Sequence, residues 1–421
     1  MFGTAGPGTK SRRDRLRAAL NQPLRGEPAL RRESVTELLD LSSLGGRWFQ
    51  SEHGPGYVIE SVYEGGHVHG EIPLHRALTI APGKLAGQIR DPRLAEASPA
   101  AFLYVDTETT GLGGAGAMVF LAGVARFEGS TLRLRQFLLP GPQYEGGLLG
   151  GLTGELDGAG ALVSYNGKSF DVPALETRYI LSRQQPNLRA LPHLDLLHPN
   201  RRLFKGMMES HRLPLVEREL LGFEREDDCP SAEVPERYFR FQRTGDPTHI
   251  RPVLRHNAWD ILSLVALAAH LAAVCEGGEG YHLQAARAAE YAGDHAEAAR
   301  RYESALEAGG NRGERLEALE RAARCHAREG NWEDAAAHWQ ALIDEPRSRR
   351  VLPYVELAKI AEHRLRDLPR AYLLASEAHA MARRGLIRAG APGSELSIEA
   401  LAKREERLRG RLERERARRT A

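Results

Sequence analysis

The chain has 421 residues, 42% of them apolar, and a formal net charge of +2. That length exceeds one ordinary core, so two or three domains are expected. The near-neutral balance excludes a global field as the means of attracting nucleic acid.

Residues 1–30 are rich in Gly, Pro and Arg and are expected to form a disordered basic tail. Across residues 10–32, Lys10, Arg12, Arg13, Arg15, Arg17, Arg25, Arg31 and Arg32 face only Asp14 and Glu27. No apolar core of the signal-peptide kind follows these basic residues, and no apolar run approaches the roughly 18–20 residues that span a bilayer. Cys229, Cys275 and Cys325 are far apart and fit neither a disulfide framework nor zinc spacing. A cytoplasmic protein with no membrane segment is therefore expected. Residues 31–99 read as a small β-containing lead-in, with strands at Tyr57-Val58-Ile59 and across Val68 to Ile72 between glycine turns. No chemistry is assigned to it.

Residues 100–275 form the centre. Ala101 to Val105 is a continuous apolar run bounded by polar residues, as in a buried strand. Val119 to Phe127 and Leu132 to Leu139 follow as strands joined by a turn at Glu128-Gly129-Ser130. Gly160 to Ser164 reads as a fourth strand, and Asp171 to Leu181 as a helix with Pro173 tolerated in its first turn. Val253 to Val274 is a long helix rich in Ala and Leu. Strands followed by strand–helix alternation predict an α/β class, a mixed sheet flanked by helices.

Residues 280–390 change character. Tyr291-Ala292-Gly293-Asp294-His295-Ala296 is echoed by Arg328-Glu329-Gly330-Asn331-Trp332-Glu333, a period of 37 residues, and more weakly at Leu365-Arg366-Asp367-Leu368. Helix, Gly-Asp/Asn turn and helix at this period predict tetratricopeptide-like helical repeats. Such repeats offer a concave face to a protein partner; alternatively they form a bundle that braces the centre. Residues 391–421 are a basic helical or disordered tail; its stretch 403–419 carries Lys403 and eight arginines against four glutamates.

Three short stretches carry candidate chemistry. In Val105-Asp106-Thr107-Glu108, residues i and i+2 share a face of the strand, so Asp106 and Glu108 project together. Two carboxylates so close repel unless a cation lies between them, and hard oxygen ligands suit Mg²⁺ or Mn²⁺. In Asn166-Gly167-Lys168-Ser169-Phe170-Asp171, a strand ends in a glycine turn and Asp171 stands at a helix start, as a cap or as a ligand. In His256-Asn257-Ala258-Trp259-Asp260, His256 and Asp260 share a helix face, as a surface pair or as part of a site.

In this order the stretches resemble the DEDD exonucleases, relatives of the polymerase proofreading domain, and in particular the bacterial YprB-type RNase H-like family. Further residues that carry the resemblance are Phe120-Leu121-Ala122-Gly123, Phe137-Leu138-Leu139, Leu194 to His198, Leu220 to Asp228, and Asp260 to Leu264. The resemblance implies an RNase H-like fold and a metal-dependent 3′→5′ exonuclease. Asp106, Glu108, Asp171 and Asp260 would hold two divalent cations, and His256 would act as general base. It also implies DNA over RNA as substrate, a role in repair, and a helicase or repair protein as a partner of the repeats. In the histidine subclass of DEDD enzymes the base sits five residues before the last aspartate, and in the tyrosine subclass four. Here a histidine holds the four-residue spacing, a variant that the YprB-type family covers.

Thr107, Asn166 and Lys168 are candidate substrate contacts beside the carboxylates. Arg201, Arg202 and Lys205 lie in a basic stretch with Phe204, the composition of a strand-gripping channel; the alternative is a solvated connection. Two further readings remain: an RNA exonuclease, which uses the same carboxylates, and a non-catalytic scaffold built on a nuclease fold.

Overall fold

The computed structural model describes residues 41–111, 116–186, 188–278, 280–346 and 349–420. The expected basic tail at 1–30 lies outside the described residues.

A seven-stranded sheet organises the first part of the chain. Its strands are β1 (Arg47–Ser51), β2 (Gly54–Tyr63), β5 (Phe102–Thr109), β6 (Val119–Glu128), β7 (Thr131–Leu138), β8 (Ala161–Ser164) and β9 (His193–Asp195), in the order β1-β2-β7-β6-β5-β8-β9. β3 (Val68–His69) and β4 (Ile72–Pro73) pair separately. β5, β6 and β7 form the expected meander, with Gly129 at φ 62 in the turn between β6 and β7. β8 and β9 extend β5 in parallel.

Within the described residues 41–99 of the lead-in, β2 joins the main sheet, pairing antiparallel with β7 from Tyr57 opposite Leu138 to Tyr63 opposite Leu132. One expectation there needs correction. The stretch from Val68 to Ile72 is not one strand but a tight hairpin turned at Gly70. Gly70 has φ 62, and a Cβ there would sit 2.1 Å from the carbonyl oxygen of Leu221, so both conformation and space require glycine.

The helices that follow in chain order are α1 (Pro82–Ile89), α2 (Glu145–Leu156), α3 (Asp171–Leu181), α4 (Leu197–Leu203) and α5 (Leu213–Val216), which runs into a π-helical turn at Glu217–Leu221. Next come α6 (Val234–Thr244) and α7 (Arg251–Glu276). On one sheet face Phe102, Tyr104, Leu132 and Leu134 pack into a core with Ile261, Leu264, Val265 and Leu271 of α7. On the other, Val105 and Leu162 meet Leu152 and Leu156 of α2 and Leu175 of α3. Strand alternation then divides the end of β5 between the two faces. Asp106 and Glu108 share parity with Tyr104 and look towards α7; Thr107 shares parity with Val105 and looks towards α3.

α7 is long and apolar enough to cross a bilayer, with a window of mean hydropathy 1.8, but 72% of that window is buried inside the protein. Its apolar run is longer than the sequence reading allowed, and the sheet and α1 cover it.

The remainder is helical: α8 (His282–Ala292), α9 (His295–Ala308), α10 (Arg312–Glu329), α11 (Trp332–Asp344), α12 (Leu352–His363), α13 (Leu368–Arg383) and α14 (Ile398–Thr420). The echoed turns are alike in conformation. Gly293 (φ 91), Gly330 (φ 81) and Arg366 (φ 55) each take the left-handed backbone between consecutive helices. Asp294 and Asp367 then cap the next helix by accepting from the N–H groups of Glu297 and Arg370. The basic C-terminal stretch is helical and docked. Leu401 and Leu408 of α14 are buried, and Arg407 and Arg411 pair with the carboxylate of Glu362 on α12.

The helical region is joined closely to the sheet region. Gly87 of α1 lies where a Cβ would be 2.7 Å from that of Ala292, and the Gln88 amide donates to the carbonyl oxygen of Ala288 at 3.0 Å. Arg202 of α4 lies over the Tyr291 ring at 3.3 Å and donates to the Gln88 carbonyl oxygen at 2.7 Å.

Candidate active site

The site begins where β5 leaves the core: Phe102 to Val105 are buried, and Asp106 to Thr109 are partly open. Asp106 is fixed from α7, since Asn257 Nδ2 donates to its Oδ2 at 2.8 Å. Asn257 is fully buried and is itself held by Gln136 of β7, whose amide donates to Asn257 Oδ1 at 2.9 Å. This relay crosses the sheet through Gly123, the partner of Asp106 on β6, where a Cβ would fall 2.2 Å from Asn257 Oδ1. Gly123→Ala is therefore expected to displace Asn257 and cost about 1–3 kcal/mol, the range for overpacking a tight interior. Chemical denaturation checks this, and an unchanged midpoint would refute the relay.

Asp171 is the first residue of α3 and is buried. Its Oδ1 accepts from the backbone N–H of Thr107 at 2.9 Å and from the Thr107 hydroxyl at 2.6 Å. Gly167 makes room, because a Cβ there would meet Ser164 Oγ at 2.3 Å and Asp171 Oδ2 at 3.0 Å. The turn before Asp171 is pinned by Asp195 at the end of β9, a fully buried carboxylate that accepts from the N–H groups of Asn166 (2.7 Å), Lys168 (3.1 Å) and Leu197 (3.2 Å).

α7 supplies the third wall. His256 is buried, and its Nε2 lies 3.9 Å from Glu108 Oε1 and 3.6 Å from Asp260 Oδ2. Its Nδ1 lies 2.7 Å from Asp228 Oδ1 and 3.2 Å from an Arg225 nitrogen. The shorter, charge-assisted contact assigns the Nδ1 proton to the bond with Asp228, which leaves the Nε2 lone pair facing the carboxylates. Arg225 is the nearby counter-charge. It pairs with Asp260, with Asp228 at 3.1 Å, and with Glu217 of the π-helical turn at 2.6 Å. Glu217 is fully buried, and its Oε1 also accepts from Ser263 Oγ at 2.5 Å.

Electrostatics follow from this crowding. Burial, then the charges of Asp260, Asp171 and Glu108, push the Asp106 carboxyl well above the usual carboxylate range. Burial, Asp260 and Asp171 do the same to Glu108, against the opposing pull of Arg225. Burial lifts Asp171 to about 6, although the bonds from Thr107 work the other way. Burial also acts on Asp228, but His256 and Arg225 outweigh it and hold its carboxyl low. Glu108, His256 and Asp260 place ligand atoms within 4.8 Å of one another, a group fit to hold a metal ion. The donor set of carboxylate oxygens with one imidazole suits hard divalent cations.

The sequence-predicted residues are thus only partly brought together. Asp106, Glu108, Asp171, His256 and Asp260 converge. Thr107 belongs to the site, but its N–H and hydroxyl are spent on Asp171. Asn166 has φ 66 and, with Lys168, forms the turn that sets Asp171; the Lys168 side chain is exposed. Arg202 lies away from the carboxylate cluster, with Gln88 and Tyr291 as its partners. With Lys205 it lines a cavity of about 340 Å³ against the helical region, together with Arg287 and Glu290. Arg201 is exposed and lies near Tyr165 and His211, whose ionisation its charge affects. Arg225, Asp228, Glu217, Asn257, Gln136 and Asp195 have no role in the sequence reading. Arg225 and Asp228 lie in the Leu220 to Asp228 stretch and Asp195 in Leu194 to His198, but no spacing rule ties them to the carboxylates.

Residues 103–272, which contain every carboxylate of the cluster, match the RNase H superfamily. This segment has an RNase H-like fold. Over 170 residues the chain is 44% identical to the uncharacterised protein YprB of Bacillus subtilis (strain 168), a match that covers 40% of this chain. The chain thus spans about two fifths of that relative's length, with 41% of it covered.

Proposed function

We propose that the RNase H-like domain is a two-metal 3′→5′ exonuclease acting on DNA, in a repair context. The observation that carries this reading is the convergence of four carboxylates from β5, α3 and α7, with Arg225 engaging only Asp260 among them. Asp106 and Glu108 hold their position by strand geometry and the Asn257 bond, Asp171 by the Thr107 clamp, and Asp260 by Arg225. Two Mg²⁺ or Mn²⁺ ions bound by these residues would supply stabilisation of charge on the attacking and leaving oxygens. His256, oriented through Nδ1 by Asp228, accepts the proton of the attacking water at Nε2. Lys168 stands exposed on the turn before Asp171, where its charge would meet a phosphate. The test is incubation with Mn²⁺ and labelled single- and double-stranded DNA and RNA. Stepwise release of 5′-mononucleotides from the 3′ end of DNA is expected. Equal or greater release from RNA would overturn the substrate assignment, and no metal-dependent release from any strand would overturn the enzyme.

The orientation of His256 gives a separate prediction. His256→Ala is expected to lower kcat by about 10²–10⁴-fold, the usual contribution of a general base. Asp228→Asn is expected to lower kcat by about 10–100-fold with little change in KM, as for loss of a partner that fixes a functional imidazole. The imidazole ¹⁵N spectrum should show the Nδ1-protonated tautomer of His256 in the parent protein and a mixture in Asp228→Asn. An unchanged kcat and tautomer would remove Asp228 from the mechanism.

A further inference from the structure

Away from the carboxylate cluster, three helices of the C-terminal region bring a second set of ligand atoms together. Glu303 lies on α9, His326 on α10 and His338 on α11. His326 Nε2 is 2.8 Å from Glu303 Oε1, and His338 Nε2 is 3.2 Å from the same oxygen. The two imidazoles stack with centroids 5.3 Å apart and planes inclined by 15°. All three ligand atoms lie within 4.8 Å of one another. Convergence of both Nε2 atoms on one carboxylate oxygen is more than helix packing alone demands.

From this geometry we propose that Glu303, His326 and His338 form a transition-metal site, suited to Zn²⁺, that clamps α9, α10 and α11 together. Zn²⁺ binds nitrogen and carboxylate oxygen at about 2.0–2.1 Å in tetrahedral geometry, which sets neighbouring ligand atoms about 3.3 Å apart. The observed 2.8 and 3.2 Å to Glu303 are already close to two such edges, and the third, between the two imidazole nitrogens, is within 4.8 Å. Imidazole nitrogen selects Zn²⁺ and its neighbours in the transition series over Mg²⁺. The carboxylate cluster at β5 has the opposite preference, so the two sites sort cations by hardness.

The surroundings of His326 support the proposal independently. Its ring is 8% exposed, and its Nδ1 is buried with no hydrogen-bond partner. The carboxylate of Asp334, on α11, lies 3.9 Å from that Nδ1. A metal-bound histidine commonly directs its other ring N–H at a carboxylate. Zn²⁺ on Nε2 would polarise the Nδ1–H towards Asp334, whose exposed carboxylate would give the atom a partner on approaching it from 3.9 Å. Three protein ligands leave a fourth position, and the Glu303 side chain, 39% exposed, opens that position to water.

The test counts Zn²⁺ bound by the full chain in equilibrium dialysis and records the thermal midpoint with and without Zn²⁺. The parent protein and His256→Ala are expected to bind one equivalent that His338→Ala and Glu303→Gln lack. The Zn²⁺-induced rise in midpoint is expected to shrink in those two variants. Glu303→Gln changes a partly exposed side chain at constant volume, so it keeps the test valid if His338→Ala does not fold. With Co²⁺ in place of Zn²⁺, visible d–d absorption of a four-coordinate ion is expected in the parent and absent in Glu303→Gln. Equal Zn²⁺ stoichiometry and equal Zn²⁺-induced shifts in the parent and Glu303→Gln would overturn the proposal and leave an ordinary histidine–glutamate pair.

Discussion

Asp106→Asn is expected to reduce metal-dependent hydrolysis by about 10³-fold or more while leaving the metal-free protein as stable as the parent, or more so, at pH 7–8. Asparagine keeps an oxygen in place to accept the 2.8 Å bond from Asn257, so the β5–α7 contact survives. What disappears is one negative charge from a cluster whose function is to concentrate negative charge. The loss in rate follows because charge stabilisation by bound cations amounts to several kcal/mol, and about 1.4 kcal/mol is a factor of ten. The absence of a stability loss follows from the raised carboxyls of Asp106, Glu108 and Asp171.

The sign of the pH dependence follows from the same shifts. A carboxyl with a folded-state pKa above its unfolded value of about 4 binds its proton more tightly when folded. Its contribution is neutral-to-favourable at low pH and is lost as pH rises. For Asp171 that loss runs from about pH 4 to about 6; for Asp106 and Glu108, raised by burial and by the neighbouring carboxylates, it has the same sign. A divalent cation cancels the repulsion, so Mg²⁺ or Mn²⁺ should raise the thermal midpoint more at pH 8 than at pH 5. Chelation should return the protein to its lower midpoint. Full metal-dependent hydrolysis by Asp106→Asn, or a cation-induced shift that does not grow with pH, would contradict the assignment.

The main elements of the candidate site were legible in the sequence because each rests on a local rule. Alternation on β5 puts Asp106 and Glu108 together; a helix start puts Asp171 in place; the i, i+4 repeat of α7 aligns His256 with Asp260. The long helix was legible from its apolar run, although its length resembles a membrane span until burial against the sheet is seen. What stayed hidden depends on distant pairing. β2 joins β7 across a long stretch of chain, so the sheet's true width leaves no local trace. Arg202 looked like a strand-binding residue because its neighbours are basic; its partner Tyr291 belongs to the helical region, and nothing local predicts the stack. Arg225 acts on Asp260 from 35 residues away, and its second anchor, Glu217, lies in a π-helical turn that only packing reveals.

Arg225 also gives the largest expected effect on stability. Its guanidinium has a side-chain exposure of 5% and binds Glu217, which is fully buried, together with Asp260 and Asp228. Arg225→Ala leaves those carboxylates without their cation, and removing one partner of a buried pair costs about 3–5 kcal/mol. A fall in thermal midpoint on the order of 10 °C is expected. Burial already raises the Glu217 carboxyl despite Arg225, so without Arg225 it rises further. The defect should therefore shrink as pH falls and Glu217 takes up a proton, and Glu217→Gln should restore part of the loss at neutral pH. Cation binding should respond in the opposite direction. In the structure the guanidinium supplies the positive charge beside Asp260, and its removal frees the Asp260 carboxylate for a divalent ion. The Mg²⁺- or Mn²⁺-induced rise in midpoint should then be larger in Arg225→Ala than in the parent, even though the variant is less stable without metal. An unchanged midpoint would show that Glu217 and Asp260 do not depend on Arg225. A smaller cation-induced rise would show that Arg225 organises the site more than it competes for it.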